Sequence, residues 1–214
     1  MAIIYGVPPS PFVRKTMLAH AIKGISFDLI PMPPGNDDPE FRAASPMGKI
    51  PGYRVNDELG FSDSSVIIAY LERTNSDNPL YPGNPEDFAR ALWFEVYSDT
   101  KLSEVTSALY FQRILGPTFF QKATDEERVN DLITNLIPQP LDYLEQQLAG
   151  KDYFVGNHFS VADLAIGSHM MSLMHANFDL DATRWPSLAT FATHFMNRPE
   201  VIDQFSKENA MLGK

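Results

Sequence analysis

The hydrophobic pattern near the N-terminus predicts alternating strands and helices. Residues 2–5 form a short apolar run typical of a buried strand, and residues 26–31 form a second one. Between them, Ser10 followed by Pro11 is a helix-start signature, and apolar side chains then recur at helical spacing up to Gly24. A strand, a helix and a strand in so short a stretch predict a βαβ unit, whose two strands must lie parallel in one sheet.

The next segment completes the pattern of one small α/β domain. Residues 33–44 are rich in proline and acidic residues, which predicts a loop. Pro51 then opens a short hairpin over residues 53–61, and a helix follows over residues 62–73. The resulting order of strands and helices predicts an α/β thioredoxin-like N-terminal domain over residues 1–80.

The second half of the chain shows only helical periodicity. The predicted helices cover residues 86–115, 124–149, 160–176, 186–197 and 199–208. Residues 74–85 are polar and rich in proline, so the domain boundary is placed there and residues 86–214 form an all-α C-terminal domain. Pro138 and Pro140 fall inside the second helix, which must kink or break at that point.

Composition and charge exclude several classes of function. The formal net charge of −10 and a pI near 4.9 disfavour binding to nucleic acid or to an anionic membrane surface. The chain has no cysteine, which excludes disulfides, thiolate metal sites and any mechanism that uses a protein thiol. The apolar run at the N-terminus is too short for a signal peptide, and no apolar run is long enough to span a membrane. We therefore expect a cytoplasmic location.

Motifs for metal, nucleotide and hydrolase chemistry are not found. The histidines stand at positions 20, 158, 169, 175 and 194. They form no H-E-x-x-H motif and no i,i+4 pair, so we expect no metal site. The chain also contains no G-x-G-x-x-G, Walker or G-x-S-x-G sequence.

Four short motifs carry a resemblance to a known family. They are residues 10–15 (SPFVRK), 45–51 (SPMGKIP), 63–71 (DSSVIIAYL) and 159–163 (FSVAD). In order and spacing they resemble the motifs of cytosolic glutathione transferases, in a serine-type, bacterial-like form. The resemblance implies that the N-terminal domain binds glutathione as co-substrate and that the helical domain supplies a pocket for an apolar electrophile. It also implies a homodimer that acts in detoxification.

The resemblance makes Ser10 the catalytic residue. Its hydroxyl would bond to the glutathione sulfur, with the start of the first helix adding positive potential. Bringing a thiol of pKa ~8.5 to ionisation at neutral pH requires about 2.7 kcal/mol. A hydrogen bond to a charged acceptor supplies about 1.5 to 3 kcal/mol and a helix terminus about 0.3 to 1. The alternatives are that Ser10 is an ordinary helix cap, or that Tyr5 takes its role; Tyr5 is interpreted as core or pocket wall.

The second motif is interpreted as the segment that binds the glutathione backbone. A cis bond between Ile50 and Pro51 would turn the N–H and C=O of Ile50 outward, where they can pair with an extended ligand as an added strand would. Lys49 would pair with the glycine carboxylate of glutathione. The alternatives are a loop that merely contains two prolines, and a solvated lysine.

The third motif would bind the γ-glutamyl end of glutathione. The Asp63 carboxylate would pair with the ammonium group, and the Ser64 hydroxyl at the helix start would bind the carboxylate. The family usually has glutamate where Asp63 stands, so the reach of this side chain is shorter. The alternative is that both residues cap a helix. Ser160 and Asp163 form a capping-box pattern and are interpreted as structural.

Of the parts of the expected site, the electrophile pocket is the one that the sequence determines least. The candidate pocket residues are Tyr110, Phe111, Leu115, Phe119 and Phe120. An aromatic stripe at helical spacing is also typical of a helix core, and both readings stay open. A second function follows from the same fold, namely a non-catalytic glutathione-binding or scaffold module. The presence of Ser10 favours the enzyme.

Overall fold

The computed structural model describes residues 1–214 and divides them into two compact units, Met1–Tyr81 and Pro82–Lys214. The elements of the first unit are β1 (Ala2–Gly6), α1 (Pro11–Lys23), β2 (Phe27–Pro31), α2 (Pro39–Ala44), β3 (Gly52–Arg54), β4 (Gly60–Ser62) and α3 (Ser64–Thr74). The four strands form one sheet in the order β2-β1-β3-β4. β1 and β2 are parallel, so the predicted βαβ unit is confirmed, and β3 and β4 are antiparallel neighbours.

Helix α2 corrects the prediction of a loop over residues 33–44. Asp38 caps this helix, because its Oδ1 accepts a hydrogen bond of 2.9 Å from the N–H of Phe41. Pro39 occupies the first helical position, where a missing N–H costs nothing. The helix has six residues, and only Phe41 and Ala44 are buried, so it is too short for a hydrophobic period to reveal it.

Apolar side chains fill the space between the sheet and α2. Tyr5, Met32, Phe41 and Ala44 form this cluster, and Ile3, Ile30 and Ile50 pack against it. Helix α1 approaches the sheet so closely that a Cβ on Gly6 would lie 2.5 Å from Cγ2 of Val13. Gly6 is therefore required where β1 ends and the chain turns towards α1.

The second unit is wholly helical, as predicted. Its α-helices are α4 (Pro85–Tyr97), α5 (Ser103–Tyr110), α6 (Gly116–Phe119), α7 (Glu126–Asp131), α8 (Pro138–Leu148), α9 (Val161–His175), α10 (Pro186–Met196) and α11 (Pro199–Met211). Three π-helical segments join neighbouring helices, at Ser98–Leu102, Phe111–Leu115 and Leu132–Leu136. None of the chain's helices is long and apolar enough to cross a membrane.

The helix predicted over residues 124–149 is divided at Ile137, with no loop between its two parts. The regular pattern stops at Ile137, whose φ of −64° and ψ of −39° are nevertheless helical. Pro138 opens α8 at the next position, and Pro140 lacks the N–H that would continue the ladder. Helical backbone angles therefore continue through Ile137 into α8, and the two prolines lie in the first turn of that helix.

Helix α9 forms the centre of the second unit and begins at a buried carboxylate. Asp163 is fully buried and accepts hydrogen bonds from the N–H of Phe154 (3.0 Å), the N–H of Ser160 (2.9 Å) and the Ser160 hydroxyl (3.0 Å). Burial raises the pKa of Asp163 to about 6, although these three hydrogen bonds act in the opposite direction. The predicted capping box of Ser160 and Asp163 is therefore confirmed.

Candidate functional site

The strand register gathers three segments of the first unit at one end of the sheet. Tyr5 of β1 lies opposite Gly52 of β3, and Gly52 lies opposite Ser62 of β4. The end of β1, the start of β3 and the end of β4 are therefore neighbours. The predicted site residues that adjoin this end are Ser10, Ile50, Pro51, Asp63 and Ser64.

Ser10 occupies the N-cap position of α1 but does not cap it. Its φ of −69° and ψ of 128° are those of a cap residue, and its carbonyl accepts the first helical hydrogen bond, from the N–H of Arg14 at 2.8 Å. The hydroxyl makes no bond back to the helix. A half-buried hydroxyl at a helix start is thus left available to a ligand.

Of the two residues at the start of α3, Asp63 caps the helix, whereas the Ser64 hydroxyl does not. The Asp63 Oδ1 accepts hydrogen bonds from the N–H groups of Ser65 (2.9 Å) and Val66 (3.3 Å), so Asp63 does cap α3. Its φ of 82° is unusual for a residue other than glycine, and such strained positions cluster at functional sites. The Ser64 hydroxyl is buried and has no hydrogen-bond partner. A buried, unpartnered hydroxyl at a helix start is suited to bind a carboxylate.

Tyr5 points into the core of its unit. Its ring is 1% exposed and lies against Phe41, with ring centroids 6.1 Å apart. Its hydroxyl donates to Oε2 of Glu40 at 3.2 Å, and burial raises the pKa of this phenol. The geometry supports the interpretation of Tyr5 as a core residue and gives it no role beside Ser10.

The segment before β3 exposes backbone groups. The Ile50–Pro51 bond is cis, as the sequence interpretation required. Ile50 is half-buried, and neither its N–H nor its C=O bonds to another backbone group. Lys49 is exposed, while Pro51 is buried where the strand begins. Ile50 thus has the free backbone groups that pairing with an extended ligand needs.

The aromatic candidates of the second unit fall into two groups. Tyr110 is 3% exposed, and its ring meets the ring of His175 edge-on at 6.4 Å. Phe119 and Phe120 are 56% and 60% exposed. Phe120 lies 6.0 Å from the ring of Phe111, and Nζ of Lys122 stands 5.8 Å from the centre of that same ring. Phe111 and Leu115 are half-buried. The structure therefore places Tyr110 in the core and the phenylalanines near the surface.

Two family models match the chain. The N-terminal domain of glutathione S-transferase matches residues 4–79, and the C-terminal domain of glutathione S-transferase matches residues 111–208. The chain belongs to the glutathione transferase family. The predicted fold class, thioredoxin-like followed by all-α, is thereby confirmed.

Individual glutathione transferases are similar to this chain at low sequence identity. A probable glutathione S-transferase from Glycine max is 25% identical over 76% of this chain and 67% of its own. The chain spans about two thirds of the length of the relatives matched first. The structure of glutathione transferase E6 from Drosophila melanogaster is 26% identical, with a TM-score of 0.79 over 99% of this chain and 94% of that chain. A glutathione S-transferase from Methylobacterium radiotolerans in complex with glutathione sulfonate is 25% identical, with a TM-score of 0.77 over 95% and 94%.

Two buried cations of this glutathione transferase received no role from the sequence. Arg14 is fully buried, and its Nη2 donates to the carbonyl of Pro9 at 3.1 Å, directly before Ser10. Lys15 is 1% exposed, and its Nζ donates to the Ser65 hydroxyl at 3.1 Å. The signal was two adjacent basic residues in a helix that packs against a sheet. Arg14 holds the loop that carries Ser10, and Lys15 ties α1 to the start of α3.

Proposed function

We propose that this glutathione transferase ionises bound glutathione through Ser10 and transfers the thiolate to an apolar electrophile. The observation that supports this most is the Ser10 hydroxyl, which stands at the N-cap of α1 without making the cap bond. Serine at this position usually satisfies a helix N–H. A hydroxyl released from that duty can donate to an external sulfur.

The chemistry needs no further group from the protein. Donation by the Ser10 hydroxyl to the thiolate lowers the thiol pKa. The N-terminus of the 13-residue helix α1 adds positive potential at the same place. The thiol proton passes to solvent, and the ionised sulfur attacks the electrophilic carbon. The leaving group departs with the electron pair of the broken bond.

The γ-glutamyl end of glutathione is assigned to the start of α3. Its carboxylate would accept from the buried Ser64 hydroxyl, which has no partner in the chain. Its ammonium would pair with Oδ2 of Asp63, since Oδ1 is already used as a helix cap. Lys49 is exposed and is assigned to the glycine carboxylate.

Replacing Ser64 with alanine is expected to weaken glutathione binding about tenfold. The bound ligand loses one charge-assisted hydrogen bond, while the pKa of its thiol stays unchanged because Ser10 is intact. Calorimetric titration gives the affinity, and thiolate absorbance gives the pKa. Thr74→Ala at the other end of α3 is the control and should bind normally. An unaltered affinity in Ser64→Ala would remove this hydroxyl from the site.

The electrophile-binding surface is assigned to the exposed phenylalanines of the second unit. Phe119 and Phe120 present apolar surface, and the ring of Phe111 packs against the ring of Phe120. Phe111 and Leu115, which are half-buried, complete the assigned surface, whereas Tyr110 is buried and is not part of it. An apolar aromatic electrophile suits such a surface.

The function is tested by conjugation of glutathione to a chlorinated nitroaromatic, paired with retention on a glutathione column. We expect both retention and turnover. Retention without turnover over a broad panel of electrophiles would instead support a non-catalytic binding module. A cytoplasmic location and a role in detoxification, which the family resemblance implies, stay predictions.

A homodimer is proposed from an apolar stripe on α4. Phe88, Leu92 and Val96 follow one another at a spacing of four residues, and Trp93 lies beside them. Their exposed fractions are 42%, 36%, 55% and 53% in that order. So much apolar surface on one helix is typical of an interaction site, and the family resemblance names a second copy of this chain as its occupant.

Val96→Glu is expected to convert the dimer to a monomer, because each interface would bury two uncompensated charges. Sedimentation at micromolar concentration should show a dimer for the wild type and a species near 24.0 kDa for the variant. Ile202→Glu is the matched control, since Ile202 on α11 is 54% exposed and lies off the stripe. A wild-type protein that sediments near 24.0 kDa would overturn the dimer.

A further inference from the structure

Ser45 lies immediately after α2, and all of its polar groups are used. It is fully buried, its N–H donates to the Phe41 carbonyl at 2.7 Å, and its carbonyl accepts from the N–H of Gly48 at 2.8 Å. Its hydroxyl donates to the carbonyl of Lys49 at 2.6 Å. Ser45 therefore anchors the turn before Ile50 at both ends.

The last of these bonds sets the direction of a neighbouring group. The Lys49 carbonyl and the Ile50 N–H belong to one planar peptide unit, and this unit is trans. In a trans peptide the C=O and the N–H point in opposite directions. Because the carbonyl is turned inward onto Ser45, the Ile50 N–H must point away from the buried serine. It has no backbone partner of its own.

We propose that Ser45 is a positioning residue for glutathione, acting through the Lys49–Ile50 peptide. The inference rests on the proposed function, in which Ile50 pairs with the cysteinyl backbone of glutathione. In this arrangement the Ile50 N–H donates to the cysteinyl carbonyl, and the Ser45 hydroxyl keeps that N–H aimed at it. Ser45 touches neither glutathione nor the electrophile.

The rest of the turn is held independently, which isolates the role of the hydroxyl. Gly48 has a φ of +65°, and a Cβ at this position would lie 2.5 Å from Nη1 of Arg42. The Gly48 carbonyl accepts from the N–H of Gly35 at 2.8 Å. Residues up to Gly48 therefore stay in place without the Ser45 hydroxyl. Without this hydroxyl, the Lys49 carbonyl loses its hydrogen-bond donor, and the Lys49–Ile50 peptide can rotate about the flanking dihedral angles.

The first test compares Ser45→Ala with Ser98→Ala in steady-state kinetics. Ser98 is a matched control because it is also fully buried and its hydroxyl donates to a backbone carbonyl, that of Phe94, at 2.8 Å. Ser45→Ala should raise the KM for glutathione about tenfold. It should leave kcat at saturating glutathione and the pKa of the bound thiol unchanged, because Ser10 is untouched. Ser98→Ala should change none of the three.

The second test uses a glutathione analogue whose cysteinyl carbonyl is replaced by a methylene group. This analogue cannot accept from the Ile50 N–H, so wild type and Ser45→Ala should bind it with equal affinity. Amide hydrogen exchange on the wild type needs no variant. The Ile50 amide should exchange freely without ligand and become protected when glutathione is added.

The outcomes distinguish a failure of the proposed function from a failure of the proposed role of Ser45. A wild type that does not bind glutathione overturns the proposed function itself. A wild type that binds, together with a Ser45→Ala variant whose KM is unchanged, overturns only the role of Ser45. If Ser45→Ala fails to fold, the exchange measurement decides alone, and an Ile50 amide already protected in the free protein would refute the inference.

Discussion

Ser10→Ala should lower the turnover of glutathione with a chlorinated nitroaromatic by about ten- to a hundredfold at neutral pH. The Ser10 hydroxyl is free of the helix-capping bond, and donation to a thiolate is worth about 1.5 to 3 kcal/mol. Its loss should raise the thiol pKa by about one to two units, and each 1.4 kcal/mol lowers the rate tenfold. Glutathione affinity should change only a few-fold. Titration of the thiolate absorbance measures the pKa directly.

Tyr5→Phe is the matched control for this experiment. It removes the other candidate hydroxyl, which donates to Glu40 inside the first unit. The pKa of the bound thiol should be the same in Tyr5→Phe as in the wild type. An unchanged pKa in Ser10→Ala combined with a raised pKa in Tyr5→Phe would transfer the catalytic role to Tyr5.

Asp163→Ala should cost about 3 kcal/mol of unfolding free energy at pH 7 and leave the glutathione affinity of the folded protein unchanged. The substitution strands the buried N–H groups of Phe154 and Ser160, and each unsatisfied buried donor costs about 1 to 3 kcal/mol. Urea denaturation followed by calorimetric titration on the same samples measures both quantities. A variant with full stability and no glutathione binding would show that Asp163 belongs to the site.

The same carboxylate should also give the stability a distinctive pH dependence. Burial raises the pKa of Asp163 from 3.8 to about 6, so between these pH values the folded protein binds a proton that the unfolded chain has released. The stability that the folded protein gains from this extra proton is fully present below about pH 4 and is lost as the pH rises through 6. The difference in unfolding free energy between wild type and Asp163→Ala should therefore be larger at pH 4.5 than at pH 7.5. A difference that grows with pH would contradict the assignment.

Asp125→Ala provides the comparison for these measurements. Asp125 caps α7 by accepting from the N–H of Arg128 at 2.9 Å, but it is exposed. Its replacement should cost only about 0.5 to 2 kcal/mol. The contrast separates an ordinary helix cap from a buried carboxylate that also binds a second loop.

Most of the fold follows from patterns that are local in the sequence. The strands around α1 and the capping box of α9 are marked by apolar runs and by cap residues within a few positions, so both predictions are confirmed. Helix α2 was missed because only two of its side chains are buried, which is too few to show a hydrophobic period. Asp38 and Pro39 nevertheless mark its start. The Asp-Pro pair was the available signal, and periodicity alone does not detect it.

The helix-start positions of the candidate site residues were predictable from the sequence, but their hydrogen bonds were not. That Ser10 stands at a helix start can be read from the sequence, whereas the absence of its capping bond depends on the position of the hydroxyl. The sequence also places Asp63 and Ser64 at a helix start, but it does not show that one caps the helix while the other stays unpartnered. Whether a side chain makes such a bond depends on its rotamer, which no local sequence pattern encodes.

The π-helical segment at Phe111–Leu115 makes the aromatic surface that follows it tolerant of a one-residue change in chain length. A π-helical turn accommodates one residue more than an α-helical turn, and one residue corresponds to about 100° of rotation around a helix. Because the π-helical turn holds its extra residue within a single turn, removing one residue from this segment would restore the regular hydrogen-bond ladder and leave Phe119 and Phe120 on the same face. In an uninterrupted α-helix the same deletion would rotate every later residue by about 100° relative to the residues before it. The segment therefore absorbs a one-residue change in length that, elsewhere in a helix, would turn an aromatic surface to another face.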